Sequence, residues 1–484
     1  MFFDSPAYFL FVPVIWLVYQ VTPDARRWLV LLVASVLFYA TLKAPVLLAA
    51  WAGVTWVSYE CGLRMARQTA ETARGRLLWA GIAANVGVLC GVKYLHTLAQ
   101  AFYPSLAADT AWGNLFVTIG VSYYTLQAVS YLTDVYMETA EPETHFGRFA
   151  LYLGFFPKLL QGPIERASDL MPQLRTPYER NTDNLYSGLI LFGWGLFKKE
   201  AVANRLAVYV DAVYGDVSAH DGVTLVWATY LYAIQIFADF SGYTDMALGV
   251  AQMFNIRLTQ NFNSPYLAAS VPDFWRRWHI SFSRWILDYI FKPLQIQWRD
   301  GRNFGVAAAL MVTFLFSGLW HGFAWTFIVW GALHGLYLAA SVFWKPWQTR
   351  IFGNAGPQTH PVRRAAQVFV TFNLVAFAWI FFRANSMSDA LTVLSRLTTG
   401  WSALTDPSAL APALLLGRSA QSFLTAMGMI AVLIGGDLLQ NRWGLDVRFA
   451  QQKIWVRWVW IYLLAFAIIF FGMFTKQQFI YFQF

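Results

Sequence analysis

Apolar runs recur along almost the whole chain. They fall at residues 8–21, 28–42, 44–60, 77–95, 113–137 and 146–160, and again at 185–214, 222–253, 303–318, 322–344, 366–382, 422–438 and 455–474. Many reach the roughly 20 residues that a helix needs to cross a bilayer. The pattern predicts an all-α polytopic membrane protein, with roughly a dozen transmembrane and re-entrant helices. One stretch departs from it. SVPDFWRRWHISFSRWILDYIFKPLQ mixes aromatics with Arg276, Arg277 and Arg284, and predicts an amphipathic helix over 274–294 that is interfacial or re-entrant. On a single helix, Trp275, His279 and Ser283 at spacing four would share one face. The proline-rich segment PKLLQGPIERASDLMPQLRTPYER reads as a cytoplasmic connection or re-entrant bend within 157–182. No internal period is visible, which argues against an inverted-repeat transporter. No polar stretch is long enough to bury a core of its own. The chain is therefore read as one integral-membrane domain over 1–484, with 261–335 as its chemical core and 399–484 as C-terminal helices and an aromatic tail.

Composition sharpens this picture. The 484 residues are 58% hydrophobic and 13% charged, about half the roughly 25% charge of an average globular domain. The net charge of +9 would raise nucleic-acid binding in a soluble protein. Here the basic residues sit in short loops between apolar runs, as the positive-inside rule requires, so the partner is the bilayer and not nucleic acid. Arg26 and Arg27, then Arg64, Arg67, Arg74 and Arg76, place two loops on the cytoplasmic side and the N-terminus outside. No basic residue precedes the first apolar run, so 8–21 reads as a retained span and not a cleaved signal. Cys61 and Cys90 have neither metal-site nor disulfide spacing.

Chemistry concentrates in the segment that carries His279, His321 and His334 within 56 residues. Two of these lie in apolar runs, where an ionisable group is costly and is a functional hypothesis by default. On one continuous helix, His321 and His334 would stand about 20 Å apart and could not serve one reacting atom. His279 and His321 lie on different elements and can converge. Burial would keep their imidazoles neutral and available as bases. Asp239 and Asp245 flank FSGYT inside another apolar run. Each either pairs with an arginine of the 276–284 helix or contacts substrate. Arg383, ending AWIFFRANS, reads as a snorkelling residue. The chain lacks G-x-S-x-G, H-E-x-x-H, the phosphate-binding loop motif and any C-x-x-C pair, so no metal site is expected.

These residues carry a resemblance. QGPI (Gln161–Ile164), DFSGYTDMALG (Asp239–Gly249), NFNSPY (Asn261–Tyr266), DFWRRWHISFSRW (Asp273–Trp285), GLWHG (Gly318–Gly322), GALHG (Gly331–Gly335), FFRA (Phe381–Ala384) and FIYFQF (Phe479–Phe484) follow one another in order over most of the chain. Together they resemble the membrane-bound O-acyltransferase family, in its bacterial branch of alginate and cell-wall O-acetylation proteins. The resemblance implies a ring of helices around an acyl-transfer tunnel, with His321 as the catalytic histidine and His279 at the position held by asparagine in the eukaryotic branches; on this reading His279 would position or polarise the thioester carbonyl. Trp275, Trp278 and Trp320 would wall the site, with Ser283, His334, Asp239 and Asp245 in support. It implies no bound cofactor. A thioester donor, acetyl-CoA or an acyl carrier protein, would be the co-substrate and an extracytoplasmic polysaccharide the acceptor, reached through a secreted or membrane-anchored SGNH-type partner at the cytoplasmic (inner) membrane. Two rivals stand beside it: a D-alanyl transferase fed by a carrier protein, and a polysaccharide or lipid transporter with histidine proton relays. The tail residue Tyr481 is either part of an interfacial aromatic anchor or a transient acyl acceptor.

Overall fold

The computed structural model describes residues 1–102, 120–179, 181–352, 360–443, 452–474 and 479–480. Among these residues the regular elements are helices and no strand occurs. Eight helices among the described residues are long and apolar enough to cross a membrane: Pro45–Ala66, Glu71–Lys93, Gly222–Met253, Arg299–His321, Trp325–Trp344, Pro361–Arg383, Ala420–Gln440 and Ile454–Phe471. The apolar helix Pro6–Val21 is shorter. Proline opens three of these helices, at Pro6, Pro45 and Pro361, where its missing N–H is one of the donors a helix start leaves unpaired anyway. The chain divides into two compact units.

The first unit comprises Met1–Gly195, Tyr243–Gln260 and Phe449–Ile461. Its core is aromatic, with Phe3 stacked against both Tyr8 and Tyr243 at 4.6 Å between ring centroids. The apolar run 146–160 does not form one span. Helix Phe146–Gly154 stops after nine residues, and the chain turns through Phe155–Leu160 with a buried lysine. Lys158 donates to the side-chain oxygen of Gln127, and Glu165 accepts from the Thr259 amide at 2.6 Å and its hydroxyl at 3.0 Å. A buried charge must be paired or hydrogen-bonded, and these contacts fix the bend. Helix Thr182–Phe197 lies against Gly222–Met253 through Gly188 and Gly249. A Cβ on either would come within 2.5 Å of the other's carbonyl oxygen.

The second unit comprises Leu196–Gly242, Asn261–Arg448 and Tyr462–Phe484. At its centre is the hairpin of helices Arg302–His321 and Trp325–Phe352. The helices cross at Gly318 and Gly331. A Cβ on Gly318 would meet the Phe327 carbonyl oxygen at 2.4 Å, and one on Gly331 the Phe314 carbonyl oxygen at 2.4 Å. Small residues that let backbones touch are the usual means of joining helices in lipid. Two expected elements are broken here. The run 185–214 is interrupted by a π-helical turn at Lys198–Ala203, which carries the buried residues Lys198, Lys199 and Glu200. The stretch 274–294 is not one helix. It forms Val271–Trp275, Ile280–Ile286, a π-helical turn Leu287–Phe291 and Lys292–Gln297.

Candidate active site

The break at His279 has a local cause. This residue takes a left-handed backbone (φ 43°, ψ 55°) immediately before helix Ile280–Ile286. Such a conformation is uncommon for any residue but glycine, and here it is held from outside. Asn261 accepts the Ile280 amide on its carbonyl at 2.9 Å and the Ser281 amide on its side-chain oxygen at 3.1 Å. The Asn263 amide donates to the Arg277 carbonyl at 3.0 Å. NFN thus supplies the cap that the helix start lacks. The kink turns the His279 ring into an aromatic cluster: edge-on to Phe240 at 4.8 Å, and near Phe282 at 5.1 Å and Trp320 at 6.3 Å. Its segment is not among the spans. Burial pushes its pKa from the ordinary 6.5 down to about 3, so the imidazole is neutral.

His321 ends helix Arg302–His321. Its buried ring meets Trp320 at 4.9 Å, Phe382 at 5.0 Å, Trp330 at 5.1 Å, Phe327 at 6.2 Å and Phe282 at 6.4 Å. Phe282 and Trp320 stack on each other at 4.5 Å and neighbour both histidines, so His279 and His321 belong to one cluster.

The separation expected for His321 and His334 does not hold. That separation applies to one continuous helix. The two histidines lie on separate helices, as the separate apolar runs 303–318 and 322–344 suggest, and the chain reverses at Gly322–Ala324. Both rings meet Trp330 edge-on, at 5.1 and 5.0 Å. His334 is fully buried and accepts the Trp275 Nε1–H on Nδ1 at 3.2 Å. Trp275 therefore does not share a face with His279 and Ser283, because the helix that would align them is broken between them. Trp278 is buried against Phe262, Phe274 and Trp379, and Ser283 donates to the Trp278 carbonyl at 3.0 Å.

Asp239 also differs from expectation. Its partner is not an arginine of the 276–284 segment, since Arg276 and Arg277 turn to Asp273 at 3.5 and 3.1 Å. Asp239 is bridged by Lys199 at 2.6 Å, both groups being buried, and accepts the Ile480 amide at 2.7 Å. Lys199 Nζ lies 4.1 Å from the centroid of the Phe479 ring. Tyr481 lies outside the described residues. Asp245 is half-buried and falls in the first unit. Arg383 is the last residue of its helix, where a snorkelling residue would sit. It pairs with Asp211 at 2.8 Å, over the Tyr214 ring. Both ion pairs line a cavity of about 330 Å³, with Gln235, Phe327 and Phe382 in the same wall. Among the described residues, no three His, Cys, Asp or Glu side chains gather as metal ligands.

Lys199, Asp211 and Gln235 drew no functional reading from the sequence. The signal for Lys199 was present, as a Lys-Lys-Glu triplet in the middle of an otherwise apolar run. Asp211 and Gln235 gave none, because only the tertiary fold brings them to the cavity.

A many-span helical protein with buried histidines in an aromatic cluster describes a membrane enzyme more readily than a relay through water. The comparisons give it a family: residues 138–381 match the membrane-bound O-acyltransferase family. The chain is 34% identical over 431 residues to a peptidoglycan O-acetyltransferase of Helicobacter pylori, covering 81% of this chain and 79% of that one. It is 35% identical over 402 residues to a probable alginate O-acetylase AlgI of Pseudomonas aeruginosa, covering 81% and 73%. A teichoic acid D-alanyltransferase of Bacillus subtilis is 25% identical over 279 residues, covering 56% and 69%. The chain belongs to the membrane-bound O-acyltransferases and is an O-acyltransferase.

Proposed function

We propose that the protein moves an acetyl group from a cytoplasmic thioester, acetyl-CoA or an acyl carrier protein, to hydroxyls of an extracytoplasmic polysaccharide. It would sit in the cytoplasmic membrane with its N-terminus outside, and work with a secreted or membrane-anchored SGNH-type partner. The names of the relatives support acetyl as the group and a cell-envelope polymer as its destination. The observation that carries the reading is the position of His321: a buried imidazole in an aromatic cluster shared with His279, one layer of rings from a polar cavity.

In the step we envisage, a hydroxyl oxygen attacks the thioester carbonyl while His321 takes its proton. His279, neutral and fixed by Asn261, steadies the carbonyl oxygen, as an oxyanion-hole donor does. The carbon–sulfur bond then breaks and the leaving sulfur recovers the proton. Trp320 and Trp330 keep water from the thioester. Tyr481 would be the first acceptor, forming an acyl ester that the partner then carries on. The docking of Phe479 and Ile480 on Lys199 and Asp239 supports a tail that returns to the site.

The test is transfer of labelled acetyl to envelope polysaccharide in cells that lack the native gene. His321→Ala should reduce transfer at least about a hundredfold, the scale of lost general-base catalysis, at unchanged membrane abundance. Substantial transfer by that variant removes the assignment. Tyr481→Phe keeps the ring and deletes the oxygen. Full polysaccharide labelling by it would leave the tail as an anchor. Recovery of labelled D-alanine ester in place of acetyl would move the protein to the teichoic acid D-alanyltransferase side of the family.

A further inference from the structure

Another cavity lies wholly within the first unit, at the turn between helices Pro6–Val21 and Asp24–Ala40. Tyr19 and Arg27 reach it from these two helices, and Arg148 from helix Phe146–Gly154. Arg175 and Tyr178 come from the end of helix Ala167–Arg175 and the chain beyond it. Its volume is about 220 Å³, below the roughly 300–1,000 Å³ of sites that enclose a whole small molecule. It therefore suits one end of a larger ligand.

The charges of the lining do not balance. Arg27 is fully engaged: it pairs with Asp24, donates to the Tyr19 carbonyl at 3.1 Å and lies over the Tyr178 ring at 4.7 Å. Arg175 gives Nη2 to Glu143, a buried carboxylate outside the lining. Gln173 is also taken, donating to the Asp169 and Arg257 carbonyls and accepting the Arg257 amide. Arg148 is the exception. It is half-buried, its Nε is shielded from water without a hydrogen-bond partner, and no carboxylate among the described residues pairs with it. A guanidinium stays protonated, so it cannot escape the cost of burial by losing its charge. An anion in the cavity would answer it, and the planar fork of arginine matches a phosphate or a carboxylate.

The place of the cavity decides between anions. The turn carries Arg26 and Arg27, which the positive-inside rule puts at the cytoplasmic face. Tyr19, Trp28 and Tyr178 are of the ring types that gather at headgroup depth. Leu17, Val21, Leu29 and Val33 on the same two helices are exposed, as side chains that border lipid are. At this depth the abundant anion is phospholipid phosphate, and basic pockets between helices at the cytoplasmic face take such headgroups. We propose that the cavity binds the phosphate of an anionic phospholipid, with Arg148 and the unengaged nitrogens of Arg175 as its partners. Bound there, the lipid ties the first two helices to helices Phe146–Gly154 and Ala167–Arg175. Such a site does not depend on acyl transfer, and binding alone tests it.

Purified protein in a neutral detergent is titrated with dioleoylphosphatidylglycerol or dioleoylphosphatidylcholine, and bound lipid is counted by native mass spectrometry. The expected result is a tightly held phosphatidylglycerol that phosphatidylcholine does not replace, because its choline would bring a like charge to Arg148. Arg148→Gln should weaken this binding at least about tenfold, the loss of one hydrogen bond to a charged group. Thr176→Trp fills the cavity from its exposed rim, keeps every charge and should weaken binding as well. It decides the matter should Arg148→Gln fold poorly. Arg364→Gln removes an exposed charge outside the cavity and should change nothing. Equal binding of phosphatidylcholine, equal loss in Arg364→Gln, or full binding by either cavity variant overturns the proposal. Displacement of the lipid by inorganic phosphate or acetyl-CoA at equal concentration would give the cavity to a soluble phosphate and overturn the lipid assignment.

Discussion

Asp239 has two partners that no local pattern connects: a lysine 40 residues earlier and a backbone amide 241 residues later. Breaking a buried pair by removing one member is far more costly than replacing both, because it leaves a charge with nothing to offset it. Asp239→Ala should therefore cost about 3–5 kcal/mol, read as lower abundance and a lower melting temperature in detergent. The double change Lys199→Met with Asp239→Leu should recover most of that loss. A double variant no more stable than the single one would show that the pair does not carry this energy. Trp275→Phe is the milder companion. It deletes the N–H donated to His334 together with part of the buried ring, should cost about 1–3 kcal/mol, and should leave acetyl transfer measurable where His321→Ala does not. Loss of transfer at normal abundance would instead bring His334 into the chemistry. At this scale the sequence singled out Asp239 and His334 by the cost of a polar group in an apolar run, but not their partners. The arginines nearest Asp239 in the motif order were taken by Asp273, and the lysine that reached it lay on another element.

Elements show where periodicity helps and where it stops. The glycines around His321 and His334 were visible in GLWHG and GALHG, and they mark the crossing of the two hairpin helices. The pattern separated the runs 303–318 and 322–344, but not how closely the reversal at Gly322–Ala324 brings their histidines together. A 13-residue separation along one axis thereby became two rings on a shared tryptophan. The same limit applies at His279, where spacing four predicted a common face. The left-handed turn that abolishes it is fixed by Asn261, outside any window a helical period examines. The crossing itself is testable. Gly331→Val would put side-chain atoms into the Phe314 carbonyl, so the hairpin must separate or bend. Overpacking costs about 1–3 kcal/mol or more, and because His321 ends one of these helices, transfer should fall with stability. Gly428 has open space around it, so Gly428→Ala should change neither. Equal tolerance at both positions would mean that the hairpin does not depend on this contact.

For the whole molecule, hydropathy was the most legible feature, because lipid leaves the backbone few ways to satisfy its hydrogen bonds. Eight candidate spans among the described residues follow from it, while the runs 146–160 and 185–214 bend or break where buried charges must be met, at Lys158 and Lys199. Orientation is a separate matter, set by where basic residues fall. Two sets of loops point to it independently. Arg64, Arg67, Arg74 and Arg76 predict a cytoplasmic connection after Pro45–Ala66, and Arg299 and Arg302 predict the same for the start of the Arg302–His321 helix. Gln68, Gln297 and Ser388 are exposed positions suited to reading this out. In a background without Cys61 and Cys90, Gln68→Cys and Gln297→Cys should resist an impermeant thiol reagent in intact cells and react once the membrane is opened. Ser388→Cys, beyond the far end of helix Pro361–Arg383, should react before opening. If Ser388→Cys is protected and Gln297→Cys reacts, the hairpin is inverted, and a thioester from the cytoplasm would meet the polar cavity and not the far side of His321. Acetyl would then have to flow in the opposite direction. If only Gln68→Cys departs from expectation, the outward acetyl flow stands and the assignment of the N-terminus alone is reversed.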